Sequence, residues 1–139
     1  MSYIILVFIL VLLDQISKYI VDKNFFEGDT IGVLTDFFHL TYVKNRGIAF
    51  GMFQGKLDII SIATVIAIVA IVYYLYKGRN KMPLLEKIGF TFVLAGAIGN
   101  MIDFRGIWSF VFNLADVWIN IGVVLILLDY FFAERKKKK

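Results

Sequence analysis

The sequence predicts an all-α integral membrane protein, with four transmembrane helices and a small extracytoplasmic β-element between helices 1 and 2. Three observations carry this. Hydrophobic residues make up 60% of the 139, whereas a soluble domain has roughly 45–50%. The mean hydropathy is +0.78, and the apolar residues gather into four runs near the length of about 20 residues that a bilayer crossing needs. The basic residues sit between and after these runs, where topology signals lie.

The first run covers residues 3–21, "YIILVFILVLLDQISKYIV". It has no basic n-region and no A-x-A-like cleavage site, and Asp14 and Lys18 interrupt it, so it reads as a retained span rather than a signal peptide. Residues 22–56 are mixed in character. "FFHLTYV" is rich in aromatic and β-branched residues, as strands are, and Gly47, Gly51 and Gly55 punctuate the rest of the segment. The second run, residues 57–76, ends in Tyr73, Tyr74 and Tyr76, which suits an interfacial belt. The third, residues 84–102, comes after the only proline, Pro83, and contains the small-residue stretch "AGAIG", which allows close helix approach. The fourth is expected over residues 107–132, before the basic tail. The whole chain, 1–139, reads as a single membrane domain.

Lys77, Arg79 and Lys81 lie between the second and third spans, Lys87 lies at the start of the third, and Lys136 to Lys139 come after the fourth. The positive-inside rule places both groups, and hence both termini, in the cytoplasm. The 22–56 segment then faces outward, although it also carries Lys23, Lys44, Arg46 and Lys56. The net charge of +4 belongs to these flanks, so nucleic acid is not an expected partner. The chain has no cysteine and one histidine, His39. That excludes thiolate chemistry, disulfides and a His-cluster metal site; no metal and no cofactor is expected.

Several polar groups stand inside the apolar runs, where a charge costs about 2.5–3.5 kcal/mol on insertion scales. Asp14 and Lys18 are four apart and share a helix face, so they can pair. Asn100 and Asp103 lie at the outer end of the third span. Asn113, Asp116 and Asn120 form one stripe on the fourth. All of these converge on the outer leaflet. Polar residues that glue helices together are the plainer explanation for any single Asn, and a structural ion pair is the better one for Asp14–Lys18. Asp116, flanked by two asparagines, points to chemistry. Two carboxylates held close at low dielectric share one proton, and such a pair can activate water and protonate a leaving amine. Asp103 and Asp116 are the natural pair, because a short link joins their spans. A small transporter or channel subunit is a further possibility for an intramembrane polar cluster.

Four stretches in order, "DQISKYIV", "VKNRGIAFG", "GN" and "FNLAD", resemble the lipoprotein signal peptidases, or signal peptidase II. The resemblance covers nearly the whole chain. It implies a four-helix aspartyl protease of the bacterial inner membrane with a periplasmic β-cradle. Such an enzyme cleaves a prolipoprotein signal peptide just before a diacylglyceryl-modified cysteine, works among membrane lipids, and is the target of globomycin. Asp116 matches one catalytic aspartate. Asp14, Lys18, Asn45, Asn100 and Asn113 match supporting or substrate-orienting positions, and Arg105 is a further candidate. The family pattern has Gly-Asn-x-x-Asp-Arg and then a Val-Val-Asp-Phe-like stretch. This chain has one aspartate, Asp103, between Asn100 and Asp116. Asp103 can be aligned with the first pattern, with the second, or with a position beyond both. We expect it to be the catalytic partner; the alternative is a non-catalytic, lipopeptide-binding deletion variant of the same family.

Overall fold

The computed structural model describes residues 2–34, 38–42, 57–103 and 113–137. The element order is α1 (Ser2–Asn24), β1 (Thr30–Leu34), β2 (Phe38–Thr41), α2 (Leu57–Gly78), α3 (Leu84–Asp103) and α4 (Leu114–Lys137). All four helices are long and apolar enough to cross a membrane, as the hydropathy runs imply. The fourth begins at Leu114; the earlier start expected near residue 107 lies outside the described residues.

Local chemistry sets the helix boundaries. Pro83 directly precedes α3, where its missing N–H removes no helical bond, and its carbonyl accepts from Lys87 N at 3.0 Å. α1 ends in a turn through Gly28, whose φ of +99° disfavours residues with a Cβ. β1 and β2 then pair antiparallel, Thr30 opposite Thr41 and Gly32 opposite His39, with an irregularity between Gly32 and Leu34.

A two-stranded hairpin is marginal by itself. Tyr42 ties this one to α1. Its N donates to Asp29 O at 2.8 Å, its carbonyl accepts from Gly28 N at 2.8 Å, and its hydroxyl donates to Asp22 Oδ1 at 3.0 Å. This hairpin is the described part of the expected β-element; the glycine-punctuated remainder lies outside the described residues.

α3 is the centre of the bundle. It packs against α1, α2 and α4; α1 also touches α4, and α2 rests on α3 alone among the described elements. Small residues set the α3–α4 distance: a Cβ on Gly122 would lie 2.5 Å from Gly89 O and 2.7 Å from Val93 Cγ2. The backbones therefore meet directly, as small-residue membrane interfaces allow. The outward faces are apolar, with Ile62, Ile66, Val69, Val124 and Phe132 all exposed. The interior holds the polar groups instead: Asp14 is 0% and Lys18 2% exposed, against 5% for Leu10. This is the distribution expected when lipid, not water, covers the helices.

Candidate active site

The site begins with the N-terminus of α4. The first N–H groups of any helix lack intrahelical partners. Here Asn113 and Asp116 form a reciprocal cap: Asp116 N donates to Asn113 Oδ1 at 3.1 Å, and Asn113 N donates to Asp116 Oδ2 at 3.0 Å. That is capping-box logic with Asn and Asp in the two roles. It explains why the three-residue spacing in "NLAD" fixes the Asp116 carboxylate. Another of these donors, Ala115 N, is met by a different helix: Asp14 Oδ1 accepts it at 2.8 Å. Two carboxylates at the positive end of one helix also complement its dipole.

The end of α3 closes the site from another side. Asn100 Nδ2 donates to Asp116 Oδ1 at 2.8 Å. Asn113 Nδ2 donates to Asn100 Oδ1 at 3.1 Å and, more weakly, to Asp103 Oδ2 at 3.4 Å. The amide of Asn113 thus bridges the Asn100–Asp116 pair to Asp103.

α1 supplies the cation. Lys18 Nζ lies 2.6 Å from Asp14 Oδ2 and 2.6 Å from Asp103 Oδ2. The expected Asp14–Lys18 pair is present, one helical turn apart, but it is part of a three-member ion cluster joining α1 to α3. Gln15, which no sequence pattern singles out, donates from Nε2 to Asp14 Oδ2 at 3.0 Å and to Gly99 O at 3.5 Å. Gly99 lets the two helices meet there, since a Cβ on it would lie 2.6 Å from Asp14 Oδ2.

One atom stands out. Among the described residues, Asp103 Oδ1 is buried and has no hydrogen-bond partner, an unusual state for a carboxylate oxygen and a frequent mark of a site for water or substrate. Asp116, by contrast, has an amide donor on each oxygen. The arrangement brings together Asp14, Lys18, Asn100, Asp103, Asn113 and Asp116. Asn45 and Arg105 lie outside the described residues. Asn120, the last member of the α4 stripe, donates from Nδ2 to Asp116 O at 2.9 Å.

A family model described as signal peptidase (SPase) II matches residues 6–132. The lipoprotein signal peptidase of Fusobacterium nucleatum is 54% identical, over 99% of this chain and 91% of the relative. That of Clostridioides difficile is 37% identical, over 99% of this chain and all of the relative. Their alignments run over 150 positions, eleven more than the 139 residues here, so the relatives carry positions with no counterpart in this chain. Two solved structures, each described as a bacterial membrane enzyme, are similar along most of their length. One has a TM-score of 0.82 at 29% identity, covering 99% of this chain and 92% of its own. The other has 0.80 at 30% identity, covering 93% and 92%.

Proposed function

Because this chain belongs to the signal peptidase II family, whose members are membrane aspartic endopeptidases that remove signal peptides from prolipoproteins, we propose that Asp103 and Asp116 form its catalytic pair. The observation that supports this pair is the buried Asp103 Oδ1, unpartnered among the described residues, beside the Asn113 amide that links Asp103 to the Asn100–Asp116 pair. Asp103 is also the only acid in the sequence between Asn100 and Asp116.

In this reading the substrate is a prolipoprotein with a diacylglyceryl cysteine, cut just before that cysteine. The pair shares one proton, because two neighbouring carboxylates of low solvation resist joint ionisation. A water held between them loses a proton to the ionised carboxylate as its oxygen attacks the scissile carbonyl. The protonated carboxyl donates to the developing oxyanion. Collapse of the tetrahedral intermediate breaks the C–N bond: the abstracted proton goes to the leaving amine, and the proton given to the oxyanion returns to its carboxylate as the carbonyl re-forms. Asn100 and Asn113 hold Asp116; Lys18, backed by Asp14, holds Asp103; Asn45 and Arg105 orient the peptide. The bundle stands in the bacterial inner membrane with both termini cytoplasmic and the pair toward the outer face, supported by the cations of the α2–α3 turn and tail. Membrane lipids surround it, and a globomycin-type peptide occupies the substrate site. The names of the relatives favour hydrolysis over a chain that binds lipopeptide without cutting it.

The test is single substitution in a cleavage assay with diacylglyceryl-modified prolipoprotein. Asp103→Asn and Asp116→Asn each keep the size of the side chain while exchanging one acceptor oxygen for an NH2 donor, and are expected to abolish cleavage. Substantial turnover by either variant would remove that residue from the pair.

A further inference from the structure

Asn120 is an amide in the wrong solvent. It lies within the apolar stretch of α4 and its side chain is exposed. Its neighbours Ile121, Val123 and Val124 are exposed apolar residues, of the kind that face lipid. Its Nδ2 is satisfied by the carbonyl of Asp116 at 2.9 Å, the back-bond a short polar side chain makes to the preceding turn. Its Oδ1 has no partner among the described residues. A polar acceptor left open at membrane depth is costly and marks function.

The position of Asn120 suggests what uses it. Four residues after Asp116, it shares that residue's face of α4, about 6 Å further along the axis at 1.5 Å per residue. Trp118, two residues earlier and so on the opposite flank, donates to Leu10 O of α1 at 3.2 Å. Ile119 and Gly122 meet α3. Asn120 itself stays exposed among the described residues.

A transmembrane signal peptide must be extended at the bond to be cut, which opens its helical hydrogen bonds. Backbone N–H groups freed within the hydrocarbon need acceptors from protein. At about 3.3 Å per extended residue, an acceptor about 6 Å from the catalytic carboxylate meets the peptide roughly two residues before the scissile bond. We propose that Asn120 is a substrate-contacting residue whose side-chain carbonyl accepts a backbone N–H of the signal peptide on the N-terminal side of the cleavage site. This rests on the assignment of Asp116 to the catalytic pair.

The experiment compares Asn120→Leu, which removes the acceptor, with Asn120→Thr, which restores one. In the cleavage assay Asn120→Leu should raise KM by about 5- to 10-fold, the size of one hydrogen bond. It should leave kcat within about twofold and Tm in detergent unchanged, and Asn120→Thr should recover most of the loss. Binding of the same prolipoprotein is measured in an Asp116→Asn background with and without Asn120→Leu. That Kd should weaken by a similar factor, which tests Asn120 without turnover. An unchanged KM and Kd would overturn the proposal. So would a change of oligomeric state with KM intact, which would make Asn120 a helix-association residue. Cleavage by Asp116→Asn itself would instead overturn the catalytic assignment.

Discussion

Asp14 caps helix α4 from a different helix: its Oδ1 accepts Ala115 N at 2.8 Å across 101 residues of sequence, while its Oδ2 accepts Lys18 Nζ at 2.6 Å. One fully buried carboxylate therefore holds both the first turn of α4, at the residue before Asp116, and the lysine that grips Asp103. Removing it leaves an uncapped N–H and a lysine with one anion fewer. Asp14→Ala is expected to destabilise the protein by about 3–5 kcal/mol, the usual cost of breaking one side of a buried ion pair. Asp14→Asn keeps an acceptor for Ala115 N and should lose less. Thermal unfolding in detergent orders the three proteins, and equal Tm values for wild type and Asp14→Ala would contradict the cap.

Gly99 makes room for that carboxylate. A methyl group there would meet Asp14 Oδ2 at 2.6 Å and Ala115 Cβ at 3.0 Å, so either α1 moves away from α3 or Asp14 turns from its cap. Gly99→Ala is expected to cost about 1–3 kcal/mol through overpacking and to lower kcat more than it raises KM, because it displaces the groups that hold Asp116. Wild-type kinetics in this variant would show that Asp14 does not position the site.

Lys18 neutralises two acids at once, each at 2.6 Å. Lys18→Met keeps the length of the side chain and leaves Asp14 and Asp103 without their shared cation. We expect loss of cleavage together with a lower Tm, and partial recovery of Tm when Asp103→Asn is added, since the second change removes one uncompensated charge. A double variant no more stable than Lys18→Met would show that the Lys18–Asp103 contact carries little energy.

Tyr42 gives the hairpin a pH dependence. Burial, and then its hydrogen bond to Asp22, push its phenol from 10.0 up to about 12. The folded state thus holds this proton more tightly than the unfolded chain. The stabilisation is complete below pH 10 and is lost as pH rises from 10 to about 12. Ultraviolet titration of wild type minus Tyr42→Phe should isolate one phenol ionising near the upper limit of that window. A difference curve centred at 10 would mean that Tyr42 is not held against Asp22.

The four spans are legible in the sequence because lipid imposes a single strong rule, and that rule writes about 20 apolar residues per crossing. The Asp14–Lys18 pair is legible because four residues make about one helical turn. The stripe of Asn113, Asp116 and Asn120 can be read for the same reason. Which helix each stripe meets is not legible. Helical periodicity describes one helix at a time, whereas the cap from Asp14 to Ala115 and the grip of Lys18 on Asp103 depend on how three helices pack. Gln15 escapes sequence reasoning because a neutral amide next to Asp14 carries no insertion penalty large enough to draw notice. Only the clearance at Gly99, which brings Asp14 and the Gly99 carbonyl together, gives it a role. The Asn113–Asp116 cap does have a signal, the three-residue spacing at a helix start. The same spacing also makes a stripe on one helix face, and the stripe alone hides the cap.

The central claim is that Asp116 works with Asp103 to cut a lipidated signal peptide in a chain shorter by eleven positions than its alignments to relatives. The direct measurement incubates the purified full chain with diacylglyceryl-modified prolipoprotein, with and without globomycin, and tracks the shorter product. Cleavage that globomycin stops is the expected result. Folded, globomycin-binding protein that yields no product would contradict the claim, leaving a bundle that holds the lipopeptide around a carboxylate with no working partner.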